Sequence, residues 1–103
     1  MAKQKPVPGG MKIGFAGKTM YLKPGEGTTP ADDLFVYRRT GFSLLDPELP
    51  AQMRGLALLW FARVRNGEPN LNFDQMVADL PGYDEFAQMI TIDTVAAESP
   101  GEG

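Results

Sequence analysis

Residues 50–66 read PAQMRGLALLWFARVRN, a stretch that holds the only Trp of the chain, its longest apolar run and no Pro after the first position. Stepped at about 100° per residue, Met53, Leu56, Ala57, Trp60 and Val64 fall on one face, with Leu59 and Phe61 on its flanks. This pattern predicts a helix whose apolar arc is wider than the roughly 100° stripe of a surface helix, so other elements must cover it from more than one side. On its back, Ala51, Gly55 and Ala62 form a strip of small residues that lets a second helix come close. Arg54, Arg63 and Arg65 stand at the edges of the arc, where their stems can lie on apolar surface while the guanidinium heads reach water. The stretch therefore reads as the core helix of a small domain, a reading compatible with sharing that helix between copies or with a partner.

Outward from this helix, the flanking signals are local. Asn66-Gly67 and Pro69 stop it, whereas its start lies among Asp46-Pro47-Glu48 and Pro50. Upstream, Thr29-Pro30-Ala31-Asp32 supplies an N-cap, a Pro at the first helical position and, with Asp33, acidic residues at the positive end of the helix dipole. That helix runs to about residue 40, with Arg38 and Arg39 in its last turn and Gly41 placed as the left-handed terminator. Downstream, Asn72 caps a helix in which Phe73, Met76, Val77 and Leu80 share one face, and Gln75 holds the reciprocal position of a capping box. Pro81-Gly82 breaks it. Tyr83, Phe86, Ala87 and Ile90 recur at helical spacing, while Ile90 to Val95 alternates like a strand; a short helix to about Ile90 is the favoured reading.

Ahead of the helices, Ile13 and Phe15, then Met20 and Leu22, alternate about Ala16-Gly17-Lys18, which reads as a β-hairpin over residues 12–23. Two strands alone are marginal in water, so the hairpin must pack its apolar face on helices or pair with another chain's edge. The expected architecture is mainly α: a single small domain over residues 11–95, with the hairpin and three to four helices at about 30–40, 48–66, 73–80 and 82–90. Residues 1–10, rich in Pro, Gly and Lys, read as a flexible arm, and residues 96–103, AAESPGEG, as a disordered acidic tail.

Composition narrows the chemistry. The 103 residues include neither Cys nor His, so disulfides, thiolate nucleophiles, Cys/His zinc sites and imidazole acid–base catalysis are unavailable. No pair of carboxylates, Lys or Tyr is spaced as a catalytic constellation, so no enzyme, catalytic residue or cofactor is expected. The acidic groups at Asp32, Asp33, Asp74, Asp79, Asp84 and Glu85 lack calcium-loop spacing, and helix-start electrostatics and solvated faces account for them. Gly14, Gly17 and Lys18 lack the spacing of a phosphate loop. The net charge of −3 argues against nucleic-acid binding through a broad basic face, although Arg38, Arg39, Arg54, Arg63 and Arg65 leave a low-ranking DNA-binding reading. The apolar run from Gly55 to Ala62 is far short of the roughly 20 residues of a membrane span, and no apolar segment follows the first lysines to make a signal peptide.

Function is thus expected in surfaces. The segment DLFVYRRTG (33–41), a connector, the helix ending WFARVRNGEP (60–69) and NLNFDQMVADL (70–80) resemble the tail assembly chaperones of long-tailed bacteriophages. In that family a helix ends in an Arg-Thr-Gly-like turn, an Ala/Leu-rich helix carries an aromatic and an Arg-rich end, and a Pro and an Asn-Phe-Asp-like helix start follow. The hairpin-like start departs from the simplest all-helical pattern. The resemblance implies a non-enzymatic morphogenesis factor in the cytoplasm of the infected bacterial host. Such a factor oligomerises and holds the tape measure protein soluble, and a longer frameshifted form recruits the tail tube protein. The expected partner surface is an apolar groove of Leu56, Trp60 and Phe61 rimmed by Arg54, Arg63 and Arg65, with Arg38 and Arg39 nearby. The alternative is a small structural virion protein, such as a head-to-tail connector component, whose hairpin adds to a neighbour's sheet edge.

Overall fold

A computed structural model describes residues 4–95; the expected acidic tail at 96–103 and the first three residues lie outside them. The elements in order are β1 (Met11–Phe15), β2 (Lys18–Leu22), α1 (Pro30–Thr40), α2 (Ala51–Arg65), α3 (Phe73–Ala78), α4 (Tyr83–Met89) and β3 (Ile90–Thr94). With 42% of the described residues in helix and 16% in strand, they form four helices on a three-stranded antiparallel sheet, a more mixed α and β fold than the mainly α one expected.

The hairpin turns on Ala16 and Gly17, both at positive φ (52° and 84°). That backbone twist matches the twist of the two strands, and Gly17 takes it without steric cost. The sheet order is β2-β1-β3, so β1 is central, with Ile13 facing Met20 on one side and Ile92 on the other. The alternation at Ile90–Val95 is therefore a true strand, and α4 ends at Met89 because the chain turns extended at Ile90 (φ −108°, ψ 137°).

Local signals place the helix ends. Thr29 accepts from the Asp32 amide at 3.1 Å, Pro30 opens α1, and Gly41 at φ 83° closes it by donating to Tyr37 O. Asn72 caps α3 through the Gln75 amide at 2.9 Å. The reciprocal half of the expected capping box is absent among these contacts, since the Gln75 side chain donates forward to Asp79. α2 begins at Ala51 behind Pro50, with no side-chain cap, and α3 ends at Ala78.

α2 is the axle of the core. Residues Leu56 through Ala62 are all buried, so the helix is enclosed all round at its middle, as its wide apolar arc requires. Ile13, Met20 and Leu22 supply the sheet's share of the same core, while Val36 comes from α1, Phe73 and Met76 from α3, and Phe86 from α4. Gly55 lies under the Phe86 ring, where an added Cβ would stand 3.7 Å from Cε2. Of the small strip on the back of α2, Gly55 receives the Phe86 side chain of α4, whereas Ala51 is exposed and borders a depression between the two helices.

Residues 4–10, expected as a flexible arm, are tied down instead. The Gln4 amide donates to Asn66 Oδ1 (3.1 Å), its side chain donates to Tyr21 O and Glu26, and Gly9 and Gly10 share backbone bonds with Val95. Paired backbone groups offset the entropy of ordering a segment that has little apolar surface to bury.

Candidate interaction surface

The apolar groove expected around Leu56, Trp60 and Phe61 is closed in the folded chain; only a recess among Arg39, Pro69, Asn70 and Leu71 reaches the edge of Trp60. Trp60 is 1% exposed, Phe61 0% and Leu56 6%. The Phe35 ring of α1 stacks on Trp60 at 5.6 Å, and Phe73 of α3 meets it edge-on at 6.5 Å. The indole Nε1 donates to Leu71 O at 2.9 Å, which satisfies the one polar atom that burial would otherwise penalise. The arc's width is used up by intramolecular packing: Trp60 and Phe61 are core, and Leu56 reaches the surface only in a depression beside α4.

The flanking arginines are engaged by groups of the same chain. Arg54 donates to the carbonyls of Leu44, Asp46 and Leu49, so its guanidinium fastens the 42–50 connector to α2. Arg63 makes two bonds of 2.8 Å with Glu68. This pairing holds the Glu68 carboxyl below the usual glutamate range, chiefly through the hydrogen bonds from Arg63. Arg65 bridges Glu26 (3.3 Å) and Asp32 (3.0 Å) and lies over the rings of Phe61 and Phe35 at 5.0 and 5.8 Å. Arg39 covers the Phe35 ring at 4.8 Å. Together Arg39 and Arg65 form a charged lid on the aromatic core. Arg38 is exposed, the one expected site residue that faces solvent without an ion pair or ring contact among the described residues.

Two apolar depressions stand elsewhere, on either side of α4. One is lined by Leu56, Val77, Leu80, Pro81, Tyr83 and Phe86. The other is lined by Ala51, Gln52, Gly55, Tyr83, Phe86, Ala87, Ile90 and Ile92. Tyr83, 48% exposed, is the ridge between them, and Ile92, 44% exposed, ends the second at the sheet edge. The helix-facing periodicity of Tyr83, Phe86, Ala87 and Ile90 had marked these residues; the sequence offered no sign that Tyr83 stays outside.

The sheet's two edges differ. At β2 the Asn66 side chain and Gln4 bond the backbone of Tyr21. At β3 the direction of each backbone group follows from the bonds at the strand's ends. Val95 N donates to Gly10 O, and Ala16 N donates to Met89 O. Antiparallel alternation then turns the groups of Thr91 and Asp93 toward β1, and those of Ile90, Ile92 and Thr94 toward the open side. The Ile90 amide is already used by Phe86 O. Among the described residues, no other strand lies beyond β3.

Among the described residues no group of three or more acidic side chains gathers to hold a metal, and no helix is long and apolar enough to cross a membrane. Asp32 and Asp33 are taken up by Gly27, Arg65 and Ser43. Comparison with protein-family models, curated proteins and solved structures finds no match to this chain.

Proposed function

We propose that this chain is a tail assembly chaperone of the kind found in long-tailed bacteriophages. In this reading it is a non-enzymatic factor of the infected host's cytoplasm that self-associates and keeps the tape measure protein soluble while the tail tube forms. A longer form of the same chain recruits the tail tube protein. Beyond the resemblance of residues 33–80, the observation that carries the reading is the pair of apolar depressions meeting at Tyr83. Paired apolar recesses separated by an exposed aromatic ridge suit the i, i+3, i+4, i+7 anchors of an amphipathic client helix. The contact surface accordingly moves from Trp60 to α4. Asp79 adjoins Leu80 in sequence and Asp84 and Glu85 follow Tyr83, all three exposed, so client helices with Lys or Arg beside their apolar stripe are preferred. Several copies along one long client would add avidity to weak individual contacts.

Co-expression with the tape measure protein of the same genome tests this. A soluble complex that is lost in Tyr83→Asp and Leu80→Asp supports it; a client left wholly insoluble by the wild-type chain overturns it. The alternative, a head-to-tail connector component, draws support from the open edge of β3, because β1 is enclosed and a neighbour's sheet would have to join there. Mass spectrometry of purified virions separates the two, since a chaperone is absent from the finished particle and a connector is present.

A further inference from the structure

We infer that two copies of this chain join edge to edge through β3, antiparallel about a two-fold axis at Ile92, into one continuous six-stranded sheet. The inference deepens the self-association in the proposed function and rests on that part of it; client binding at Tyr83 is a separate matter.

The backbone phase carries the argument. The groups of Ile92 and Thr94 and the carbonyl of Ile90 point away from β1, as derived above from the bonds at Val95 and Met89. Pairing β3 with its own copy so that Ile92 faces Ile92 puts Ile90 opposite Thr94 and Thr91 opposite Asp93. Apart from the Thr94 carbonyl, which faces an Ile90 amide already held by Phe86 O, each outward group then meets an outward group. Ile92 N–H and C=O exchange bonds across the axis, and each Thr94 N–H reaches the other copy's Ile90 carbonyl.

The side chains agree with this register. Asp93, the single charge on the strand, faces the Thr91 hydroxyl of the other copy. A slip of two residues toward the C-terminus would set Asp93 against Asp93. Ile92 shares the inner face with its β1 partner Ile13, and its exposed flank would pack on its equivalent. Because a two-fold axis normal to the sheet keeps both inner faces on one side, the depressions beside Ile92 merge into a single trough.

The strand also lacks what proteins place on edges that stay single. It has no Lys, no Pro and no bulge, and its register with β1 is unbroken over all five residues. The opposite edge, in contrast, is bonded at Tyr21 by Asn66 and Gln4.

Light scattering on the full chain, over a concentration series, should give a dimer of twice 11.2 kDa; a monomer at every concentration up to saturation overturns the inference. Ile92→Pro removes only an amide that faces away from β1, so the monomer should keep its circular dichroism while the dimer dissociation constant rises at least tenfold. An Ile92→Pro chain that folds and still dimerises as tightly as wild type overturns the β3 assignment. Should that variant fail to fold, Ile92→Cys decides. The chain has no other thiol, and hydrogen-bonded partners across an antiparallel pair have Cα atoms about 5.5 Å apart, within disulfide reach. Oxidation should yield a covalent dimer from Ile92→Cys in near-complete yield and little from Thr91→Cys, whose equivalents sit two positions out of step. Equal or absent crosslinking in both overturns the register. Because Ile92 also lines a depression assigned to the client, Thr94→Pro separates the two readings: Thr94 lines neither depression and its amide also faces away from β1, so loss of dimer with client solubility retained in that variant supports the β3 junction independently of the chaperone reading.

Discussion

The side-chain amide of Asn66 bonds both backbone groups of Tyr21: Nδ2 donates to Tyr21 O at 3.0 Å, and Oδ1 accepts from Tyr21 N at 3.3 Å. At this position the residue that ends α2 imitates a neighbouring strand on β2. The same side chain also donates to Ala62 O at 2.7 Å and accepts from the Gln4 amide, and it is 7% exposed. Asn66→Ala would strand several of these groups in a dry place, where each unsatisfied one costs about 1–3 kcal/mol. The expected outcome is a loss of about 3 kcal/mol in urea unfolding, with Asn66→Asp also destabilising because it removes the donors.

Gly55 sits within α2 at a helical φ, with room for a methyl group beneath Phe86. Gly55→Ala should stabilise the fold by about 0.5–1 kcal/mol through lower unfolded-chain entropy. A larger side chain would push α4 away, so Gly55→Leu should lower the melting temperature that Gly55→Ala raises.

Burial of the single tryptophan separates the two locations of the partner surface. Acrylamide should quench Trp60 only weakly in the folded chain, and adding a client helix should leave that quenching unchanged. Trp60→Ala is expected to cost about 3–5 kcal/mol, the range for emptying a large aromatic site in a core. Strong quenching that a client relieves would return the contact surface to α2.

The Arg63–Glu68 pair gives a pH signature. Because the Glu68 carboxyl is held below its usual range, the pair's contribution is fully present above the unfolded glutamate value and disappears as pH falls through the lower folded value. Both side chains are partly solvated, so the contribution is at most about 1 kcal/mol. Urea midpoints of wild type and Glu68→Gln should differ near neutrality and converge in acid. A constant gap at all pH values would assign the effect to packing.

Much of the helical layout was legible in the chain. Thr29-Pro30, Gly41, Asn72 and Pro81-Gly82 act within one turn of where they stand, so the cap, the φ lock and the left-handed stop each can be read from a few residues. The site was not legible in the same way. Leu56, Trp60 and Phe61 look alike to periodicity whether an aromatic from α1 covers them or a client does; Phe35 and Phe73 decide it. The arginines at the arc's rim were placed correctly at its edges, but their acidic and carbonyl partners come from segments that spacing along α2 does not reveal.

By itself the sequence determined α1 with both its ends, the stop of α2, the start of α3, the hairpin, and the exclusion of thiol and imidazole chemistry, because each follows from residue type and short-range geometry. Only the tertiary structure decided that Ile90–Thr94 joins Met11–Phe15 across most of the chain, that Gln4 docks beside Tyr21, and that Tyr83 and Ile92, not Trp60, remain outside. Such pairings depend on which distant surfaces compete for the same backbone groups and apolar area, and that competition is resolved only when all elements pack at once.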